Sequence, residues 1–320
     1  MTSTCISIAI VNYPGAMSSA VSGMTEYFEL ANGLCQQNNS EVRFKPEVIE
    51  GANINKKANA EALAYTVIIL PPALDDCFFL SPNDELLVWL SNQHQKGTII
   101  CSVCGGAFIL ASTGLMNGRK VTTHWDLANN FSKRFPDVKL DSNKLLINDT
   151  DFISAGGLMS WIDLVLELVS QFTNSMIMRK LGKYLIIDTA SREQRYYQTF
   201  TPRLDHGDEA ILKAQHQLQN QFHKSVTVKQ LAEATHLTER TFLRRFVTAT
   251  GLKPNQYLQQ LRVQKACELI ETTKDSIESI ALAVGYEDTS AFRKTFIKIT
   301  GQTPKEFRKR FVRDKPAVLQ

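Results

Sequence analysis

The sequence predicts an α/β doubly wound parallel sheet followed by an all-α domain. Three observations carry that expectation. Short runs rich in β-branched residues alternate with helical patterns as far as about residue 185, and strand patterns then vanish. The helical remainder contains an internal repeat. The charge also divides: residues 1–204 hold 17 Lys+Arg against 19 Asp+Glu, net −2, whereas residues 205–320 hold 19 against 13, net +6. A basic terminal third suits a separate module that meets a polyanion.

The chain of 320 residues is long enough for two domains, each with its own core. Its 43% hydrophobic and 21% charged residues fit a soluble globular protein, and its cysteines read most simply as reduced thiols in a cytoplasm. No apolar run approaches the roughly 18–20 residues needed to span a bilayer. The opening "MTSTCISIAIVNYPG" lacks the positive flank of a secretion signal. Six cysteines show no framework spacing. The C-x-x-C at Cys101–Cys104 has no second ligand pair, so neither a metal nor a cofactor is expected.

In order, strands are predicted at 6–13, 42–49, 65–72 and 97–103, each bounded by turn formers. Helices are predicted at 22–38, 82–96 and 105–113; in the first, Met24, Tyr27, Phe28, Ala31 and Leu34 recur at helical spacing. Strands that are apolar almost throughout belong to a sheet covered on both faces. "KVTTH" and "DSNKLLINDTDFISAGG" are expected to extend the sheet before a helix from Ser160 to Phe172. This defines a domain at 1–185. The polar text at 186–208 has no clear period and reads as a linker to a domain at 209–320.

Within that second domain, residues 228–258 resemble residues 277–307. Phe242 matches Phe292, Phe246 matches Phe296, Gly251 matches Gly301 and Pro254 matches Pro304, all at an offset of 50. Each copy obeys helix-turn-helix mechanics, at about 228–247 and 277–297. A short helix presents a small residue, Ala232 or Ala281, where a second helix crosses closely. A turn holds His236 or Gly285, and the second helix opens on an N-cap, Thr238 or Asp288. Glycine ends it and proline begins the next helix. With the phenylalanines inward, Arg240, Thr241, Arg244 and Arg245 face outward in the first copy, and Thr289, Ser290, Arg293 and Lys294 in the second. Such a face can enter a major groove, where Arg reads guanine and Lys or Thr fixes phosphate. A lone helix of this kind is better read as a solvated basic face; two copies with matching caps argue against that.

The module resembles the AraC/XylS family of transcription regulators, with "NQYLQQLRVQKACELIETT" (255–273) as the helix joining the two units. The resemblance implies contact with successive major grooves of promoter DNA. Base contacts would fall near Arg240, Leu243 and Arg244, then Thr289, Ser290 and Lys294. The first domain resembles the class I glutamine amidotransferase-like (ThiJ/PfpI) superfamily, a flavodoxin-like fold. The carriers are "VNYPG", the elbow "ICSVCGGAFILASTGL" from Ile100, "TTHW" at 122–125 and "SAGGLMSWIDLVLELV" at 154–169. Together they give the arrangement of the GlxA-type AraC regulators, which implies a homodimer and a small nitrogenous effector such as an amino acid or quaternary amine.

Cys104 sits at a strand-to-helix elbow, where a helix N-terminus favours thiolate. Covalent catalysis also needs a base and oxyanion donors. Gly105 follows the cysteine where amidase-like relatives often carry histidine, and Pro71 and Pro72 supply no N–H. His124 and Glu26 are the remaining partners that the resemblance suggests. The thiol can therefore be a packing group, a pocket wall or a nucleophile. The reading adopted is a pocket without turnover, with Glu26, Pro72, Ala73, Cys104, His124 and Met159 around it at the carboxyl ends of the strands. A cysteine-dependent amidohydrolase or deglycase using Cys104, His124 and Glu26 is the alternative.

Overall fold

The computed structural model describes residues 4–51, 54, 64–190 and 192–312. The chain divides into two compact units, Met1–Gln194 and Arg195–Gln320.

The first unit is built on a six-stranded sheet. In chain order its strands are β1 (Thr4–Asn12), β2 (Val42–Glu50), β3 (Val67–Leu70), β4 (Ile99–Val103), β7 (Leu146–Asp149) and β8 (Phe152–Ala155). They lie in the order β2-β1-β3-β4-β8-β7, parallel except for the antiparallel edge pair β7–β8. Side chains alternate between two buried faces, as the near-continuous apolar strands require. On one face Ile6, Ile8, Ile10, Val67, Ile69 and Ile153 pack under α1 (Ser18–Gln37), with α6 (Trp161–Phe172) and α7 (Ser175–Leu185). On the other, Ala9, Val11, Ile68, Leu70 and Ile100 pack under α3 (Asp84–Gln95) and α4 (Gly106–Ser112). The remaining helices, α2 (Cys77–Leu80) and α5 (Ala128–Arg134), are short.

Two expectations change here. "KVTTH" does not extend the main sheet: β5 (Lys120–Val121) pairs with β6 (Lys139–Leu140) in a separate two-stranded sheet. The strand stops after Val121 because side chains take over its hydrogen bonding. The Thr122 N–H donates to Ser154 Oγ at 2.9 Å, and Thr123 Oγ1 donates to the Cys104 carbonyl at 2.7 Å. Helix α7 was not anticipated. Asn174 caps it by accepting from the N–H groups of Met176 and Ile177, and Ile177 and Leu181 seat its buried stripe.

The second unit is all helical: α8 (Glu209–Asn220), α9 (Val228–Ala234), α10 (Glu239–Thr250), α11 (Pro254–Thr272), α12 (Ile277–Ala283), α13 (Thr289–Thr300) and α14 (Pro304–Phe311). It holds two cores, each with one copy of the repeat. Phe242, Phe246 and Tyr257 anchor the first, and Phe292, Phe296 and Phe307 the second. The aromatic geometry repeats with the sequence. Phe246 meets Tyr257 edge-on at 5.4 Å, and Phe296 meets Phe307 edge-on at 5.6 Å. Helix α11 serves both cores, giving Tyr257 and Leu261 to one and Val263, Ala266 and Ile270 to the other. Its Arg262 donates to the carbonyls of Phe222 and Lys224 and lies over the Tyr286 ring.

The segment read as a linker is not free along its length. Arg192 pairs with Asp163 in the first unit, whereas Phe200 packs edge-on against Tyr257 in the second. The polar text belongs in part to each core, and its lack of period reflects irregular docking.

Candidate nucleic-acid interface and ligand pocket

Each helix-turn-helix is assembled from local signals. Helix α9 begins with a capping box between Thr227 and Gln230, and α12 begins on Ser276. Ala232 and Ala281 are buried at the crossings. In the turns His236 has φ 56° and Gly285 φ 89°, both left-handed. Leu237 N–H and Tyr286 N–H then return to the carbonyls of Ala232 and Ala281, each at 2.9 Å. The two turns differ in what they tolerate: His236 is exposed, but a Cβ on Gly285 would lie 2.5 Å from the His223 carbonyl. Thr238 and Asp288 cap the second helices, which end on Gly251 and Gly301 at φ 75° and 77°.

With the phenylalanines buried, α10 exposes Arg240, Leu243, Arg244 and Val247. Helix α13 exposes Ser290, Arg293, Lys294 and Ile297, the same four positions shifted by 50. These are i, i+3, i+4 and i+7, one stripe along each helix. Among the described residues no ion pair engages Arg240, Arg244 or Lys294. Arg245 differs. Its guanidinium grips Asp208 with two bonds of 2.6 and 2.8 Å, and that guanidinium holds the carboxyl below its usual range. Arg293 reaches Glu278 at 2.7 Å, but both are more than half exposed, so the pair is worth about 0–1 kcal/mol.

In the first unit the strand β4 delivers Cys104 into the left-handed region at φ 53°. The thiol is 3% exposed, and its N–H donates to the Ala155 carbonyl at 2.8 Å. Burial pushes its pKa up to about 11, although the Gly105 N–H pulls the other way. Tyr13 from "VNYPG" lies close by, donating its hydroxyl to the Pro71 carbonyl; burial raises its pKa first, then the charges at Cys104 and Asp75. A cleft of about 300 Å³ opens over the elbow, lined by Cys104, His124, Phe79 and the carboxylates of Asp75, Asp76 and Asp126. No Lys or Arg lines it among the described residues. His124 accepts from the Asp126 N–H through Nδ1 at 3.2 Å, which leaves the ring proton on Nε2, and burial lowers its pKa. After β3, Pro71 and Pro72 have no N–H, and the Leu74 N–H is bonded to the Gly15 carbonyl at 2.9 Å.

Comparison with known proteins accords with both halves. Residues 29–171 match the DJ-1/PfpI family, and residues 231–310 match a helix-turn-helix domain family. This chain joins a DJ-1/PfpI domain to an AraC-type helix-turn-helix domain. It is 24% identical to the HTH-type transcriptional regulator CdhR of Pseudomonas aeruginosa over 212 residues, 66% of this chain and 63% of that one. It is 26% identical to the regulator ArgR of the same organism over 68% of this chain and 67% of that one. To the regulator GlxA of Rhizobium meliloti it is 22% identical over 69% and 68%. The chain thus spans a little under two thirds of the length of the first of these curated relatives. The DNA-binding domain of AdpA, solved with a target DNA, is 29% identical over 32% of this chain and 92% of its own, at a TM-score of 0.31.

The AraC-type domain brings the expected residues onto two matched stripes, with Thr241 and Thr289 half-buried at their edges and Arg245 withdrawn into its pair with Asp208. Val247 and Ile297 were missed. Their offset of 50 was present in the sequence, but an apolar residue on an outward face carries no signal until the inward face is known. In the DJ-1/PfpI domain the cleft unites Ala73, Cys104 and His124. Glu26, Pro72 and Met159 lie outside its lining. Glu26 is exposed on α1. The Pro72 carbonyl is taken by the Met17 N–H at 2.8 Å, and Met159 is exposed. The carboxylates at 75, 76 and 126 stand in the place foreseen for Glu26. They follow strand ends, and "LDD" was the available signal.

Proposed function

We propose that the chain is a sequence-specific DNA-binding transcription regulator of the cytoplasm, acting as a homodimer on promoter DNA. Its DJ-1/PfpI domain binds a small nitrogenous metabolite, an amino acid or quaternary amine, without turning it over. The observation that carries this reading is the pair of matched stripes on α10 and α13. Each sets cations beside small or apolar groups, and among the described residues no ion pair engages Arg240 and Arg244 on α10 or Lys294 on α13; this is the mixture that reads base edges and thymine methyls in a major groove. The names of the relatives support the same reading. The carboxylate-lined cleft favours a cationic ligand, and aromatic Phe79 suits an alkylated amine. Effector and DNA are coupled only if the effector binds two arrangements with different affinity. Mapping bound fragments across the source genome, followed by titration of one fragment at several salt concentrations, tests the proposal. Specific binding whose affinity falls as salt rises is expected; indifference to every fragment at low ionic strength sinks it.

The left-handed elbow at Cys104 keeps one observation in favour of a cysteine hydrolase. The thiol's own chemistry separates the two readings. With a pKa near 11, about one thiol in a thousand is ionised at pH 8, so iodoacetamide should modify Cys104 slowly, with a rate still climbing above pH 9. A rate that levels off below pH 8 would favour the hydrolase.

A further inference from the structure

Gln194 is the last residue of the first unit, and its side chain is almost fully buried. Its carboxamide engages both sides of the pocket histidine. Oε1 accepts from the Trp125 N–H at 2.9 Å, and Nε2 donates to the Thr123 carbonyl at 2.9 Å and the Ser142 carbonyl at 3.0 Å. The amide orientation is self-consistent, because a flip would set oxygen against carbonyls and nitrogen against an N–H. The Gln194 N–H adds a bond to the Asn143 carbonyl at 2.8 Å. Thr123, held by this carboxamide, donates in turn to the Cys104 carbonyl. The seat is cut to fit: a Cβ on Gly156 would fall 2.2 Å from Nε2, which gives the first glycine of "SAGG" a physical reason. Flanking ion pairs, Arg192 with Asp163 and Lys144 with Glu193, press the same stretch onto the domain.

We propose that Gln194 is a positioning residue that links occupation of the Cys104–His124 cleft to docking of the chain where it leaves the DJ-1/PfpI domain. One carboxamide clamps residues 123 and 125, so His124 cannot shift toward or away from a ligand without disturbing it. The next residue begins the unit that carries the DNA-binding helices. A ligand that prefers one position of His124 therefore biases whether residues 192–194 stay seated, and by linkage their seating alters affinity for that ligand. The identity of the cleft as an effector site rests on the proposed function; the mechanical coupling does not.

The test uses the full chain without DNA or effector, so its outcome is independent of the DNA-binding assay. Iodoacetamide labelling, read cysteine by cysteine by mass spectrometry, is compared among wild type, Gln194→Ala and Gly156→Ala. The second variant evicts Gln194 from its seat while leaving its side chain intact. Cys104 should label at least about tenfold faster in either variant, while Cys101, fully buried in β4, keeps its rate and reports that the sheet is intact. In the reverse direction Thr123→Val, which removes the bond to the Cys104 carbonyl, should speed amide exchange at Gln194 by a similar factor. This arm stands even if Gln194→Ala fails to fold. Unchanged Cys104 labelling in a folded variant, Cys101 accelerating in step with Cys104, or unchanged exchange at Gln194 in Thr123→Val overturns the proposal.

Discussion

Arg244→Ala is expected to weaken binding to a mapped promoter site by about 1–3 kcal/mol and to relax base preference at one position of that site. The reason is geometric. Arg244 is exposed on α10 in the same stripe as Arg240 and Leu243, and its fork can meet two acceptors on one guanine edge. Arg245→Ala provides the contrast. That guanidinium is bound to Asp208, the cap of α8, so its loss should lower stability of the helical unit and leave base preference unchanged. Equilibrium titrations over a panel of single-base substitutions separate the two. If Arg244→Ala binds every fragment as wild type does, Arg244 plays no part in readout.

Phe296→Ala should destabilise the second helix-turn-helix by about 3–5 kcal/mol, the range for deleting a large buried aromatic side chain. Phe296 is fully buried, 5.6 Å from Phe292 and edge-on to Phe307, so truncation removes two ring contacts and leaves a cavity. The two cores share helix α11 and the ring of Phe222, but their buried residues are otherwise separate sets, so the first helix-turn-helix, around Phe242 and Phe246, should keep more of its protection. Urea unfolding with residue-resolved hydrogen exchange checks this. Protection lost equally across α10 and α13 would mean that the halves unfold as one. A chain with two compact units need not unfold in two states, so a single melting temperature would not resolve the point.

The helix-turn-helix pair was legible because its determinants are local and occur twice. Thr238 and Asp288 cap, Gly251 and Gly301 turn left-handed, and Pro254 and Pro304 start the following helices, all within a few residues of the backbone they shape. The main sheet was legible for a similar reason: strands buried on both faces announce themselves by apolar runs. Less visible was β5, whose five-residue pattern ends after two residues because Thr122 and Thr123 find partners far along the chain. Helix α7 was missed although Asn174, Ile177 and Leu181 carried a cap and a stripe; the amphipathic signal is short and adjoins polar text.

By itself the sequence determined two domains, the covered parallel sheet, the elbow at Cys104 and the doubled basic helices with their inward and outward faces. Tertiary structure alone decided which of those side chains are available. Arg245 is withdrawn by Asp208, 37 residues away, and Glu26 gives place to Asp75, Asp76 and Asp126. Gln194, in text without period, closes around a histidine 70 residues earlier in the chain. The physical reason is one of range. Caps, turns and hydrophobic periods act along the backbone and are written in neighbouring letters, whereas an ion pair, a cleft or a buried carboxamide depends on where folding brings distant side chains.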